Sequence, residues 1–251
     1  MSLVHFPKPY PDELLYSLLA RWRQQVGLPH NTDAIIALFG KTARHNTPLD
    51  LPIQLIELAK NIPFQQDLYV DRLIDEYTLF PYFSSFVSND RAMRIRQAMS
   101  EPGGNPYNYL SPRIRGRDQV TRLRFCPLCF EHMKAQYGEP YWKRSHQLPL
   151  SFLCDTHETP LIDSDVSLSK YRNSYTAAAL SSPGSSTAWA NDLNLHSLLM
   201  LFAIGGAALL HIDKKDTSII RKAIGSAKSL NNLPKELTDR IPSSKSLNTE
   251  L

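Results

Sequence analysis

Cysteine is scarce in this sequence, with three in 251 residues. The opening Met1-Ser2-Leu3-Val4-His5-Phe6-Pro7 lacks the basic stretch and long apolar core of an export signal. Few thiols and no such signal argue against a disulfide framework and point to a reducing cytoplasm and metal binding. Long hydrophobic runs are missing too. The most apolar stretch, Leu198 to Leu210, is 13 residues with two glycines inside. A membrane helix requires roughly 18, so this stretch reads as a buried helix, with Gly205-Gly206 allowing close packing. Excess charge is small: the net charge of +4 is too mild to declare nucleic-acid binding by itself. Several enzyme signatures are absent. There is no Gly-x-x-x-x-Gly-Lys-Ser/Thr, Gly-x-Ser-x-Gly, Gly-x-Gly-x-x-Gly or His-Glu-x-x-His. Asp71, Asp75 and Glu76 fall on one expected helix with no metal-ligand companions and read as solvated or salt-bridged. No enzyme is expected.

What is present suffices for a folded core. Hydrophobic residues make up 42% and charged residues 21%, and the length suits one large domain or two modest ones. Helical signals dominate. Pro11 suits a first helical position, with Asp12 and Glu13 in the first turn. Leu14, Leu15, Leu18, Leu19, Trp22 and Val26 follow at helical spacing, and Gly27 can stop the helix. Asn31 or Thr32 can cap a second helix ending near Gly40. This pair is helix-turn-helix-like, and a plain helical hairpin fits it as well. Further helices are expected over 52–61, 66–77 and 89–100, the last behind a Ser88 or Asn89 cap with Arg91 and Arg94 on one face.

Residues 101–112 are rich in Pro, Gly and Asn and mark a break. The expected organisation is a helical domain over 1–105, a zinc-binding module over 106–162 and a helical region over 163–251. In that last region, helices are expected over 168–180 and about 191–212, around a serine-rich loop at 181–186, with a loosely ordered tail beyond 231. The fold class is mainly α, with a small zinc-finger or ribbon module and an N-terminal helix-turn-helix-like domain.

The strongest chemical signal is a spacing. Cys126-Pro127-Leu128-Cys129 is followed, after 24 residues, by Cys154-Asp155-Thr156-His157. Two such knuckles supply four ligands to one tetrahedral ion, here one structural Zn²⁺ held by Cys126, Cys129, Cys154 and His157. Four protein ligands leave no open coordination position. Zinc deaminases also carry Pro-Cys-x-x-Cys, but they require an upstream His-x-Glu, which does not occur here. His132 and His146 remain as substitute ligands. His146 follows Tyr141-Trp142-Lys143-Arg144, so a helix packing its aromatics on the knuckles is the simpler account of it.

Charge is uneven along the chain. Residues 1–100 carry ten basic and ten acidic side chains, while residues 101–157 carry eight and five. Arg113, Arg115, Arg117, Arg122 and Arg124 lie just before the cysteines and are candidate phosphate contacts.

Three segments resemble the TniQ/TnsD family: Phe6 to Arg21, Tyr77-Thr78-Leu79-Phe80-Pro81, and Arg124 through Tyr141-Trp142 and His146-Gln147-Leu148-Pro149 to His157. The resemblance covers roughly residues 5–162. It implies a target-selection protein of Tn-seven-like transposons that recruits an AAA+ ATPase regulator to double-stranded DNA, directly or by bridging a CRISPR effector complex. It implies a helix-turn-helix-like helical region fused to a zinc finger or ribbon. Phe6, Tyr10, Asp12 and Glu13 are candidate contacts to the ATPase, with core packing as the alternative. Long members of the family carry a further C-terminal half, so this chain reads as a short adaptor or as part of a longer protein. A homodimer stays open. The alternative function is a stand-alone zinc-containing, sequence-specific DNA-binding regulator, against which helix 32–39 offers no Arg, Asn or Gln to read bases. A zinc hydrolase is disfavoured by the closed ligand set.

Overall fold

The computed structural model describes residues 3–40, 48–63, 67–111, 120–168, 175–179, 185–186 and 193–211. Helix α1 (Leu15–Val26) forms where Leu15, Leu18, Leu19 and Trp22 repeat on one face, and all four are buried. It stops at Gly27, whose φ of 68° is the left-handed cap that glycine adopts without penalty. Its start departs from expectation. Asp12 takes φ 54°, Glu13 forms a bridge with Lys143, and the Leu14 N–H donates to the Trp142 carbonyl at 2.9 Å. The left-handed turn at Asp12 and this pairing of residues 13–14 with a distant segment keep Pro11, Asp12 and Glu13 ahead of the helix.

Helix α2 (Asn31–Phe39) follows within four residues and buries Ala34, Ile35, Leu38 and Phe39. Helices α3 (Leu55–Asn61) and α4 (Val70–Tyr77) are shorter than the sequence predicts. Gln54 and Asp67 adopt φ of 63° and 52°, which breaks helical continuity ahead of each. A short helix α5 (Phe80–Ser84) precedes α6 (Asn89–Ser100), which starts on the Ser88 side-chain cap as expected. Arg96 on α6 pairs with Asp71 and Asp75 of α4, so those carboxylates are salt-bridged surface groups. A 3₁₀ turn at Pro106–Tyr109 follows.

Strand β1 (Arg122–Phe125) pairs antiparallel with β2 (Ile162–Ser167), which pairs in turn with β3 (Ser185–Ser186). Helix α7 (Pro127–Tyr137) runs directly out of β1, with Pro127 in its first turn. A second 3₁₀ turn spans Ser145–Gln147, where a helix was one expectation. Helix α8 (Leu193–Leu209) lies within the expected 191–212. Of the helix expected over 168–180, Leu168 and residues 175–179 are described and none is helical; Ser185–Ser186 forms a strand where a loop was expected. The tail beyond 231 lies outside the described residues. Among the described residues no helix is long and apolar enough to cross a membrane.

One hydrophobic cluster runs from Phe6 and Leu14 through Leu73 and Ile95 to Phe125, Trp142 and Leu161. The break at 101–112 therefore divides the chain without dividing the core. Helix α8 closes over the cysteine-bearing segment, with Leu199, Met200 and Ala203 against Phe152 and Leu153. The approach is close at Gly206, where a Cβ would sit 3.0 Å from Leu148 Cδ1.

Candidate metal centre

Cys126 directly follows β1 at the N-cap position of α7, and Cys129 sits in the first turn of that helix. Cys154 and His157 come from a tight turn. The Glu158 N–H returns to the Cys154 carbonyl at 2.9 Å, the Cys154 N–H reaches the Thr159 carbonyl at 2.8 Å, and Leu153 bridges Pro160 below. The two knuckles converge. His157 Nδ1 lies 3.6, 3.3 and 3.6 Å from the sulfurs of Cys126, Cys129 and Cys154, and Cys129 Sγ is 3.6 Å from Cys154 Sγ. Metal–sulfur bonds of about 2.3 Å and metal–nitrogen bonds of about 2.0 Å in a tetrahedron place donors roughly 3.5–3.8 Å apart. The four donors could hold a metal ion.

Hydrogen bonds from Cys129 and Cys154 hold the Cys126 thiol far below its ordinary range, while donation to Cys126 pushes Cys129 and Cys154 up. Three thiolates cannot share so small a buried volume unless a positive ion compensates them. Further groups surround the donors. Thr159 Oγ1 is 3.3 Å from Cys126 Sγ, and His132 Nδ1 is 3.3 Å from His157 Nε2. His146 is fully buried, and burial pushes its imidazole well below its usual range. Trp142 packs near stacked Phe125 and Phe130, as the aromatic run suggests, though on irregular backbone. Thr159 had no signal in the sequence, since only the folded turn brings it to Cys126.

The candidate arginines separate. Arg113, Arg115 and Arg117 lie outside the described residues. Arg122 is exposed, with Nη1 donating to the Ser164 carbonyl at 3.1 Å. Arg124 is buried, and its guanidinium donates to the carbonyls of Ser151 and Leu148 at 2.6 Å each. Gln147 covers the same strand edge, accepting from Arg124 N–H at 2.9 Å and donating to its carbonyl at 2.8 Å. Arg124 thus braces the cysteine loop and has no guanidinium face open to a phosphate.

The candidate partner residues separate likewise. Phe6 and Glu13 are fully buried, which withdraws them from any partner surface in this arrangement. Tyr10 is half-buried under Arg21, with its hydroxyl donating to Glu139 at 3.0 Å. Asp12 is engaged by Arg144 and by the Ser145 N–H. Glu13 accepts from Tyr10 N–H, Ser17 and Arg21 at 2.8–2.9 Å.

Burial pushes the Glu13 carboxyl from 4.5 up to about 7, against the pull of Arg21. Between those values the folded chain holds a proton that the unfolded chain has released. The contribution of protonated Glu13 is therefore complete below pH 4.5 and is lost as pH rises through about 7. A shift of this size corresponds to roughly 3 kcal/mol. Glu13→Gln is expected to flatten this limb in urea unfolding followed against pH. Superimposable profiles for variant and parent would refute the assignment.

The architecture is that of a mainly helical protein with a cluster of three buried cysteines and a partly buried histidine that could hold a metal ion. The profile of the TniQ family matches residues 4–161, and the chain belongs to that family. The Transposon Tn7 transposition protein TnsD of Escherichia coli is 30% identical over 156 residues, which are 61% of this chain and 30% of that protein. The match thus spans less than a third of that relative's length.

Proposed function

We propose that this chain is a target-site selection adaptor of DNA transposition. It recruits an AAA+ ATPase regulator to double-stranded target DNA, by contacting DNA, a CRISPR effector complex, or both. The reading is carried by the family match over residues 4–161, which contains the whole Cys126/Cys129/Cys154/His157 centre. In this reading the metal is one Zn²⁺, favoured by three thiolates and an imidazole over harder cations. Its coordination is complete with protein ligands, so it shapes a binding surface and performs no chemistry. The adaptor contributes binding energy: holding the ATPase at one site raises its local concentration there.

The test is a pull-down of the full chain with the ATPase, DNA and ATP, with and without a CRISPR effector. Retention of the ATPase on DNA alone supports direct recruitment, and retention only with the effector makes the chain a bridge. DNA binding with no retention of the ATPase in either arm sinks recruitment and favours a stand-alone regulator.

The basic segment gives a separate prediction. Replacing Arg113, Arg115, Arg117 and Arg122 by alanine is expected to lower the slope of log affinity against log salt by about 0.9 for each phosphate no longer neutralised. Arg124→Ala is expected to lower thermal stability and leave that slope unchanged, because its guanidinium serves carbonyls of the cysteine loop. Binding titrations across salt concentrations decide this. An unchanged slope in the fourfold variant removes these arginines from the DNA interface.

A further inference from the structure

His146 sits against the metal centre without belonging to its four-donor set. Its Nε2 lies 3.6 Å from Cys154 Sγ and 3.9 Å from Cys129 Sγ. His157 Nδ1, by contrast, lies within 3.6 Å of all three sulfurs, so His157 fits as the fourth donor, while His146 approaches two of the sulfurs and, with Cys154 and Asp155, forms a second, three-membered group of donors. Asp155 Oδ1 is 3.9 Å from Nε2 but is already held by Ser145 Oγ at 3.2 Å and Lys143 Nζ at 3.5 Å. The other ring nitrogen, Nδ1, is buried with no hydrogen-bond partner among the described residues.

That asymmetry selects a tautomer. A neutral imidazole carries one proton, on one nitrogen or the other. On Nδ1 the proton would be a buried donor with no acceptor, at the full cost of its desolvation. On Nε2 it faces two sulfurs. We propose that His146 is a positioning residue of the metal centre: its Nε2–H donates to the thiolates of Cys154 and Cys129, fixing their orientation and damping their charge from outside the ligand set. The proposal rests on the zinc reading above.

Two consequences follow from the chemistry of thiolates. A hydrogen bond to a metal-bound thiolate stabilises its negative charge and lowers its nucleophilicity, so attack by electrophiles slows. Partners around a metal site also fix ligand orientation, and their loss typically lowers metal affinity roughly 10–100-fold. His146 therefore governs how firmly the centre keeps its metal.

The experiment uses the full chain loaded with cobalt or cadmium. In His146→Phe the ring volume is kept and the donor lost; in His146→Gln an amide N–H of similar reach remains. His146→Phe is expected to release metal to a chelator at least about 10-fold faster and to shift the thiolate-to-cobalt charge-transfer band, with His146→Gln returning both toward the parent. In the unmodified protein, nitrogen NMR should find the proton on Nε2, coupled to bound cadmium, a result independent of whether either variant folds. A proton on Nδ1 overturns the proposal, as does a Phe variant with unchanged release and spectrum. Retention of the cobalt–nitrogen signature in His157→Ala, with its loss in His146→Phe, would make His146 a ligand and overturn it too. A chain that takes up no metal at all overturns the zinc reading itself, and the proposal with it.

Discussion

Stripping the metal with a chelator, or replacing Cys154 by serine, is expected to unfold the N-terminal helices together with the cysteine-bearing segment. The magnitudes favour this. Structural zinc sites contribute about 10–16 kcal/mol of apparent binding energy in small domains, against a total folding stability of about 5–15 kcal/mol. The packing transmits the loss. Cys126, Cys129 and Cys154 belong to the same buried cluster as Leu14, Leu18 and Trp22. The backbone between the knuckles is stitched to α1: the Trp142 carbonyl accepts from Leu14 N–H at 2.9 Å, and the Trp142 N–H donates to Ser17 Oγ at 3.0 Å. Trp142 and Trp22, both buried, report on the two regions separately. The expected result is one coincident transition in far-ultraviolet dichroism and in the fluorescence of Trp22 and Trp142, each followed alone in a variant whose other two tryptophans, Trp189 included, are phenylalanine. A chelated protein that keeps its helical signal and a native Trp22 environment would make the centre a separable module.

That prediction departs from what the sequence suggests, and the reason is physical. A Pro- and Gly-rich stretch at 101–112 reads as a boundary because composition reports only on the local chain. Whether the cores on either side merge depends on pairings such as Leu14 with Trp142, separated by more than a hundred residues. Local signals did locate much. The Ser88 cap marked the start of α6, the break at 101–112 its end, and Gly27 the close of α1. The four candidate donors were legible because knuckle spacing is itself a local property. Among the groups around them, His132 and His146 were named only as substitute ligands, and Thr159 was not legible, because it reaches Cys126 only after the chain folds back. Nor were the left-handed backbones of Asp12, Gln54 and Asp67, which shortened three expected helices. Arg122 and Arg124 illustrate the same limit. Alternation along β1 separates Leu123 from both arginines, yet Arg124 is buried as well, because Gln147 closes over that edge of the strand.

Arg144→Met is expected to destabilise the protein by about 3–5 kcal/mol, the usual result of leaving one member of a buried ion pair behind. Arg144 is 2% exposed and joins three segments. Its Nε donates to Asp12 Oδ1 at 3.1 Å, and its Nη1 donates to the carbonyls of Asp75 at 2.9 Å and Thr78 at 3.3 Å. Its backbone N–H reaches the Asp12 carbonyl at 2.9 Å, and the next N–H, of Ser145, reaches Asp12 Oδ2 at 3.2 Å. Burial lowers the pKa of this guanidinium against the opposing pull of Asp12, so the charge is held at a desolvation cost that its partners offset. Methionine fills much of the volume but strands the Asp12 carboxylate and the carbonyls at the end of α4. The same ion pair helps hold Asp12 at its φ of 54°, so its loss also loosens the turn that sets where α1 begins. Asp12→Asn removes the stranded charge, so the double variant is expected to recover part of the loss, with a coupling energy above roughly 1 kcal/mol. Urea midpoints for the four proteins, with the metal kept bound, measure it. Additive single-variant losses would mean that Arg144 acts through its carbonyl bonds alone, and a loss under about 1 kcal/mol for Arg144→Met would place the joint between the opening turn and the metal segment in the apolar core instead.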